Sequence, residues 1–251
     1  VQNNLTPVFV DIEYDTLNFD VTKIEEKITS RTKAIFVSPV LGNVPDMDFL
    51  SELCKKHNIK LIGDSCDSIG SKWDGKHCYC VGSANLLSCG TCGKRFDTWL
   101  DSYDGIIDHK YVFTNMGYNL KPMDLQGSIG LVQLKKFEEI DTNRKHSKKT
   151  IEAIFLKYVS GIKGVSMLPK ADTCWFGTPF ICEDKVLKDK LISFLEENKI
   201  QTRNYFAGNI LMHPGYKHLD DLNDYPNANK VLDKVFFVGA APHYTKEVFD
   251  Y

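Results

Sequence analysis

The first 65 residues alternate between short apolar runs and amphipathic stretches, and this alternation leaves few folds open. Val8-Phe9-Val10-Asp11-Ile12 alternates in polarity and is rich in β-formers, so a strand is expected there. Asp20 is placed to cap a helix running through Ile24 and Ile28. Ala34-Ile35-Phe36-Val37 is a continuous apolar run of strand length, the pattern of a strand buried on both faces. Gly42-Asn43 makes a turn. Asp46 then opens a helix with Met47, Leu50, Leu53 and Cys54 on its apolar face, closing near Asn58. Ile59-Lys60-Leu61-Ile62 is the next strand. Strands separated by helices of this length pair in parallel through right-handed crossovers. Ligands of such sheets sit at the carboxyl ends of the strands. Asp64 and Asp67 lie at one of those ends. A carboxylate following an apolar strand is costly to leave unpaired. Asp64 therefore caps the next turn, pairs with a base, or holds a cationic ring nitrogen of a ligand.

Beyond Gly70 the chain reads as irregular to about Asp108. From Pro122 to Tyr158 it reads as helical, with Met123, Gln126, Ile129, Gly130 and Leu134 on one face and a break expected near Asp141-Thr142-Asn143. A second unit follows. Thr178 to Cys182 is a strand. Lys185 to Asn198 is an amphipathic helix with Leu187, Leu191, Ile192 and Leu195 inward, and Asn227 to Phe237 is another helix ending at Gly239. No internal repeat is visible.

The formal net charge is −2, from 31 basic and 33 acidic residues. No basic stripe of the kind nucleic-acid binders carry is seen. No apolar run approaches the roughly 20 residues that span a bilayer. Val1-Gln2-Asn3-Asn4 has neither the basic nor the apolar region of a signal peptide, so a cytoplasmic protein is expected. The sequence also lacks a starting Met.

Of eight cysteines, four fall between Cys78 and Cys92. Without a secretion signal, a disulfide scaffold is the poorer reading. Cys78-x-Cys80 with Cys89-x-x-Cys92 offers thiols for zinc or an iron–sulfur cluster, but at neither group's standard spacing. Free thiols in a surface loop remain an equal alternative. Cys54 fits an apolar helix face, and Cys174 and Cys182 carry no motif.

Several stretches resemble one family in order. These are Leu41-Gly42-Asn43 with Asp46-Met47-Asp48, Lys56-His57-Asn58, and Asp64-Ser65-Cys66-Asp67-Ser68-Ile69-Gly70-Ser71. Gly117-Tyr118-Asn119-Leu120-Lys121 with Asp124, Gln126 and Gly130 follows, then Thr202 to Asn209 and Pro226-Asn227-Ala228. Together they resemble the DegT/DnrJ/EryC1/StrS sugar aminotransferases. Within that family, Cys66-Asp67, Cys78-Tyr79-Cys80, Thr91 to Phe96 and Asp108-His109-Lys110-Tyr111 look like the CDP-4-keto-6-deoxyglucose 3-dehydratase branch. Asp67 stands where ordinary members of the family carry Gln.

The resemblance implies an α/β chain of the pyridoxal-phosphate (PLP) fold type I, aspartate aminotransferase-like. Residues 1–150 would form an incomplete large cofactor-binding domain with a mainly parallel sheet, and residues 151–251 a small C-terminal α+β domain. It implies pyridoxal 5'-phosphate or pyridoxamine 5'-phosphate (PMP) as cofactor and a nucleotide-linked ketosugar as substrate. Asp64 would pair with the pyridine nitrogen, Asp67 would sit near the ring hydroxyl, and Asn119 would reach the cofactor phosphate of a partner subunit in a homodimer. Arg203 is a further substrate candidate. A 2Fe-2S cluster drawn from Cys66, Cys78, Cys80 and Cys92, with Cys89 as an extra, would take electrons from an NAD(P)H-dependent iron–sulfur flavoprotein reductase.

Two departures accompany the resemblance. The family's phosphate-binding turn, which precedes the first strand seen here, is missing. The pattern also jumps between His77 and Cys78, where the family carries the catalytic Lys or His. Either a segment is deleted or the protein's residues there lie outside this sequence. The second is favoured, because a deletion would also remove sheet strands and hollow the core. A protein of these residues alone is expected to be inactive.

Overall fold

The structure is a computed structural model that describes residues 5–64, 66–77 and 124–251. The chain divides into two units, Val1–Tyr79 with Phe137–Tyr251, and Cys80–Lys136. In the second, the described residues, 124–136, begin with the helix α2, Asp124–Leu134, and its Ile129, Leu131, Val132 and Leu134 are exposed.

In the larger unit, β1 (Ala34–Val37), α1 (Met47–His57) and β2 (Lys60–Gly63) form the expected strand–helix–strand. The strands pair in parallel, from Ala34 opposite Lys60 to Val37 opposite Gly63. Asp46 caps α1, its Oδ1 accepting from the Phe49 N–H at 3.0 Å. Asn58 closes it in the left-handed conformation, as a short polar side chain can. Leu50 and Leu53 bury against Val37 and Ile24. The expected burial of β1 on both faces is not observed, since Phe36 is 65% exposed and Ile62 47%. Strand side chains alternate between faces, and only the face carrying Val37 meets α1.

Two further expectations in this region are corrected. Residues 8–12 are not a strand, and only an isolated bridge joins Ile12 to Phe19. Asp11 is buried there, and its carboxylate is spent on two backbone N–H groups, those of Asn227 at 3.1 Å and Ala228 at 2.9 Å. The segment after Asp20 forms two short 3-10 turns, Val21–Lys23 and Glu25–Lys27, in place of one helix. Asp20 does act as a cap, its Oδ1 accepting from the Thr22 N–H at 3.1 Å.

The helical region breaks at Lys135-Lys136, not at Asp141-Thr142-Asn143. α3 runs through Phe137–Tyr158, and Asp141 sits inside it, paired with Lys145 one turn on at 2.8 Å. A small antiparallel sheet joins β3 (Lys72–Trp73), β4 (Lys76–His77) and β6 (Ala171–Asp172) in the order β4-β3-β6.

The C-terminal part is built on a four-stranded antiparallel sheet. Its strands are β5 (Ile162–Gly164), β7 (Gly177–Cys182), β8 (Thr202–Asn204) and β9 (Val235–Gly239), in the order β5-β7-β9-β8. α4 (Lys185–Glu197), capped by Asp184, packs Leu187, Leu191, Ile192 and Leu195 on it as expected. The expected helix over Asn227–Phe237 splits into α5 (Pro226–Lys234) and β9. Val235-Phe236-Phe237-Val238 is buried residue for residue, which suits a strand flanked by two others and covered on both faces. Phe180 and Phe236 form the centre of this core, with Phe155 of α3 stacked on Phe180 at 4.4 Å. A short helix, α6 (Lys246–Asp250), ends the chain. Among the described residues no helix is long and apolar enough to cross a membrane.

Candidate active site at the carboxyl ends of the parallel strands

β1 and β2 end side by side, and the Asp64 N–H extends their ladder by one bond, to the Val37 carbonyl at 2.8 Å. Two loops leave these ends. The first contains the turn Val40–Gly42. Leu41 is in the left-handed region, φ 53°, and is fully buried. That conformation costs a non-glycine residue on the order of 1–2 kcal/mol, and surrounding packing against Trp175, Tyr205 and Phe237 holds it. The result is that the Leu41 N–H points at the second loop and donates to Asp67 Oδ2 at 3.2 Å.

The second loop carries the carboxylates. Asp64 Oδ1 accepts the Cys66 N–H at 3.0 Å. A hydrogen bond from the Cys66 thiol, followed by that backbone bond, holds the Asp64 carboxyl below the usual carboxylate range. The same contact pushes the Cys66 thiol up. Asp64 is thus ionised at neutral pH and only partly covered. A carboxylate has about four lone-pair sites, so capping this turn does not use up its capacity for a ligand. Next to Asp67 lies Tyr205, nearly fully buried. Burial first, and the Asp67 charge second, keep its hydroxyl protonated.

The structure therefore brings Asp64, Cys66 and Asp67 together on one loop. Asn119, Cys78, Cys80 and Cys92 lie outside the described residues. Arg203 is exposed on β8, in register with Phe237. Cys54, Cys66, Cys174 and Cys182 are free thiols, and of these only Cys66 is exposed. Among the described residues no group of three or more His, Cys, Asp or Glu is placed to hold a metal ion. Sequence reasoning missed the Leu41 N–H, Ser71, Cys174 and Tyr205. The first is a backbone group, and the others reach the site only through folding.

The residues present fit the ring end of a pyridoxal cofactor. An ionised, accessible carboxylate stands at a parallel-strand terminus, where it can hold a protonated pyridine nitrogen.

The model of the DegT/DnrJ/EryC1/StrS aminotransferase family matches residues 1–91 and 100–251. The lipopolysaccharide biosynthesis protein RfbH of Salmonella typhimurium is 29% identical over 301 positions, covering 100% of this chain and 68% of that protein. The dTDP-4-dehydro-2,6-dideoxy-D-glucose 3-dehydratase of Saccharopolyspora spinosa is 31% identical, with coverage of 100% and 64%. The chain thus spans about two thirds of the length of these relatives. Its fold matches that of an E. coli GDP-4-keto-6-deoxy-D-mannose-3-dehydratase with bound hydrated PLP, at TM-score 0.76 and 23% identity over 100% of this chain and 74% of that one. It also matches the aminotransferase TlmJ of Streptoalloteichus hindustanus, at TM-score 0.74 and 20% identity over 98% and 70%. The fold is that of the PLP-dependent sugar aminotransferases and dehydratases, and the chain belongs to the DegT/DnrJ/EryC1/StrS aminotransferase family.

Proposed function

We propose that the protein is a PLP- or PMP-dependent 3-dehydratase acting on a nucleotide-linked 4-keto-6-deoxysugar. The observation that carries this reading is Asp64, held ionised at the end of β2 with Asp67 one turn further on. A pyridoxal cofactor supplies an electron sink, provided its ring nitrogen is protonated and paired with an anion. Asp64 is that anion. Asp67, oriented by the Leu41 N–H, would sit near the ring hydroxyl, in the place where aminotransferases of the family carry Gln. Tyr205 and Leu41 exclude water from behind Asp67. The name of the 31% identical S. spinosa relative, a 3-dehydratase, supports dehydration over amino transfer.

The reading extends to a homodimer in which Asn119 reaches the partner's cofactor phosphate. It extends also to a 2Fe-2S cluster on Cys66, Cys78, Cys80 and Cys92, reduced by an NAD(P)H-dependent flavoprotein. Cys66, an exposed thiol beside Asp64, would exchange its hydrogen bond to that carboxylate for iron as one ligand. Two irons and two acid-labile sulfides per chain are expected in anaerobically purified protein, and their absence removes the relay while leaving the dehydratase.

The decisive experiment incubates the full-length protein with PMP and CDP-, dTDP- or GDP-linked 4-keto-6-deoxysugars and follows the sugar by mass spectrometry. Loss of the C3 hydroxyl is expected. An amino sugar formed from PLP and glutamate, with no dehydration, would establish the second reading, a nucleotide-sugar aminotransferase. That reading is favoured by a 28% identical dTDP-4-amino-4,6-dideoxy-D-glucose transaminase of E. coli, of which the chain covers 68%. Asp64→Asn removes the anion and is expected to weaken cofactor binding at least about tenfold, roughly 1.4 kcal/mol.

A further inference from the structure

Three segments distant in sequence meet behind Asp67, joined by two side chains to which the proposed chemistry gives no part. Ser71 is 1% exposed. Its hydroxyl donates to the Gly42 carbonyl at 2.8 Å and accepts the Cys174 N–H at 3.1 Å. The Cys174 thiol, also buried, donates to the Asp67 carbonyl at 3.3 Å. Gly42 closes the arrangement. A Cβ there would lie 2.7 Å from Cys174 Sγ and 3.0 Å from both the Asp67 oxygen and Ser71 Oγ, and its φ of +84° disfavours any side chain. Burial pushes the Cys174 thiol up, so it stays a donor at neutral pH.

We propose that Ser71 and Cys174 are positioning residues, a clasp that fixes the Asp67 turn against the loop after β1 and so sets where the Asp67 carboxylate stands. The clasp makes the segment before β7 part of the cofactor site, although it contributes no group that touches the cofactor. The Leu41 N–H orients the Asp67 carboxylate from one side, and the Cys174 thiol holds the same residue's backbone from the other. With Ser71 bridging Gly42 to Cys174, neither loop can shift without breaking a buried bond. The proposal rests on the reading of Asp64 and Asp67 as cofactor ligands, and its test separates the two.

The test uses Ser71→Ala, Cys174→Ala and Cys174→Ser in the full-length protein, each also combined with Asp67→Asn. Binding of PLP is read from its absorbance and fluorescence, and mobility of the Asp64–Ser71 amides from hydrogen exchange without cofactor. Ser71→Ala and Cys174→Ala should each raise the PLP Kd about tenfold and speed exchange in the loop. Cys174→Ser, which keeps a donor, should restore binding to within about threefold of the parent. In the Asp67→Asn background the same changes should cost less than twofold, because they act through Asp67. Unchanged exchange overturns the clasp. Faster exchange with parental Kd, or a full penalty persisting without the Asp67 carboxylate, overturns its positioning role. If Ser71→Ala fails to fold, the Cys174 pair carries the same comparisons. Parental PLP binding by Asp64→Asn, or no binding by the parent, sinks the functional reading instead, and the exchange arm still decides the clasp.

Discussion

Asn43 is a single buried polar side chain on which three segments depend. Its Nδ2 donates to the Thr16 and Ser166 carbonyls, both at 2.9 Å, and its Oδ1 accepts from Thr173 Oγ1 at 3.4 Å. Asn43→Leu would strand the buried Thr16 carbonyl and strip the part-buried Ser166 carbonyl of its partner. A cost of about 3 kcal/mol is expected, measured by denaturant unfolding. Cys182 offers a second residue-scale test. Burial pushes its thiol up to about 11 from the ordinary thiol value of 9.0. Between those values the unfolded chain releases a proton that the folded chain keeps, so this residue's contribution to stability falls as pH rises above 9. The parent should therefore lose stability more steeply from pH 9 to 10 than Cys182→Ala, a difference readable from unfolding midpoints. Alkylation mapped by mass spectrometry should mark Cys66 well before Cys182 in the native protein. At this scale the position of Asp64, Cys66 and Asp67 just past the end of β2 was legible, because the apolar run to Ile62 and the polar residues after it mark a strand end locally. It passed over Cys174, because a lone cysteine in an unpatterned stretch gives no local sign of the carbonyl it will meet.

At the scale of elements, α1 is the segment most legible beforehand. Its apolar face, its Asp46 cap and its Asn58 closure are all encoded within the helix and one residue on either side. Asp46→Ala should cost about 1 kcal/mol, seen as a lower Tm, since only the Phe49 N–H bond is lost. The stretch Asn227–Gly239 was misread for the opposite reason. Pro226 opens a helix, and nothing local requires it to stop before Val235. The strand is decided by β7 and β8, which supply backbone partners on both sides of β9. Residues 8–12 failed in the same way. Their alternation suits a strand, but no described strand offers them an edge, and the Asp11 carboxylate is worth more on the end of α5.

For the whole molecule, Asp11 joins the two ends of the chain, 216 and 217 residues from the N–H groups it accepts. It is a helix cap supplied from the far end of the sequence. Asp11→Ala should cost about 1–2 kcal/mol and expose the segment before β1 to proteolysis. A parental cleavage pattern would show that the contact carries no such weight. Such long-range ties mark the limit of what the sequence determined by itself. Apolar periodicity and caps sufficed for the β1–α1–β2 unit, for α4, and for a carboxylate at the end of a parallel strand, since each is set by neighbours along the chain. The order of motifs was enough to name the family. Only the tertiary structure decided that Phe36 and Ile62 face outward, that β9 is a central strand, and that Leu41 turns left-handed to reach Asp67. It also decided that Ser71 and Cys174 close over Gly42. Each of these depends on which surfaces and backbone groups remain unpaired after distant segments meet, and the free energy of that meeting is not written in any local window.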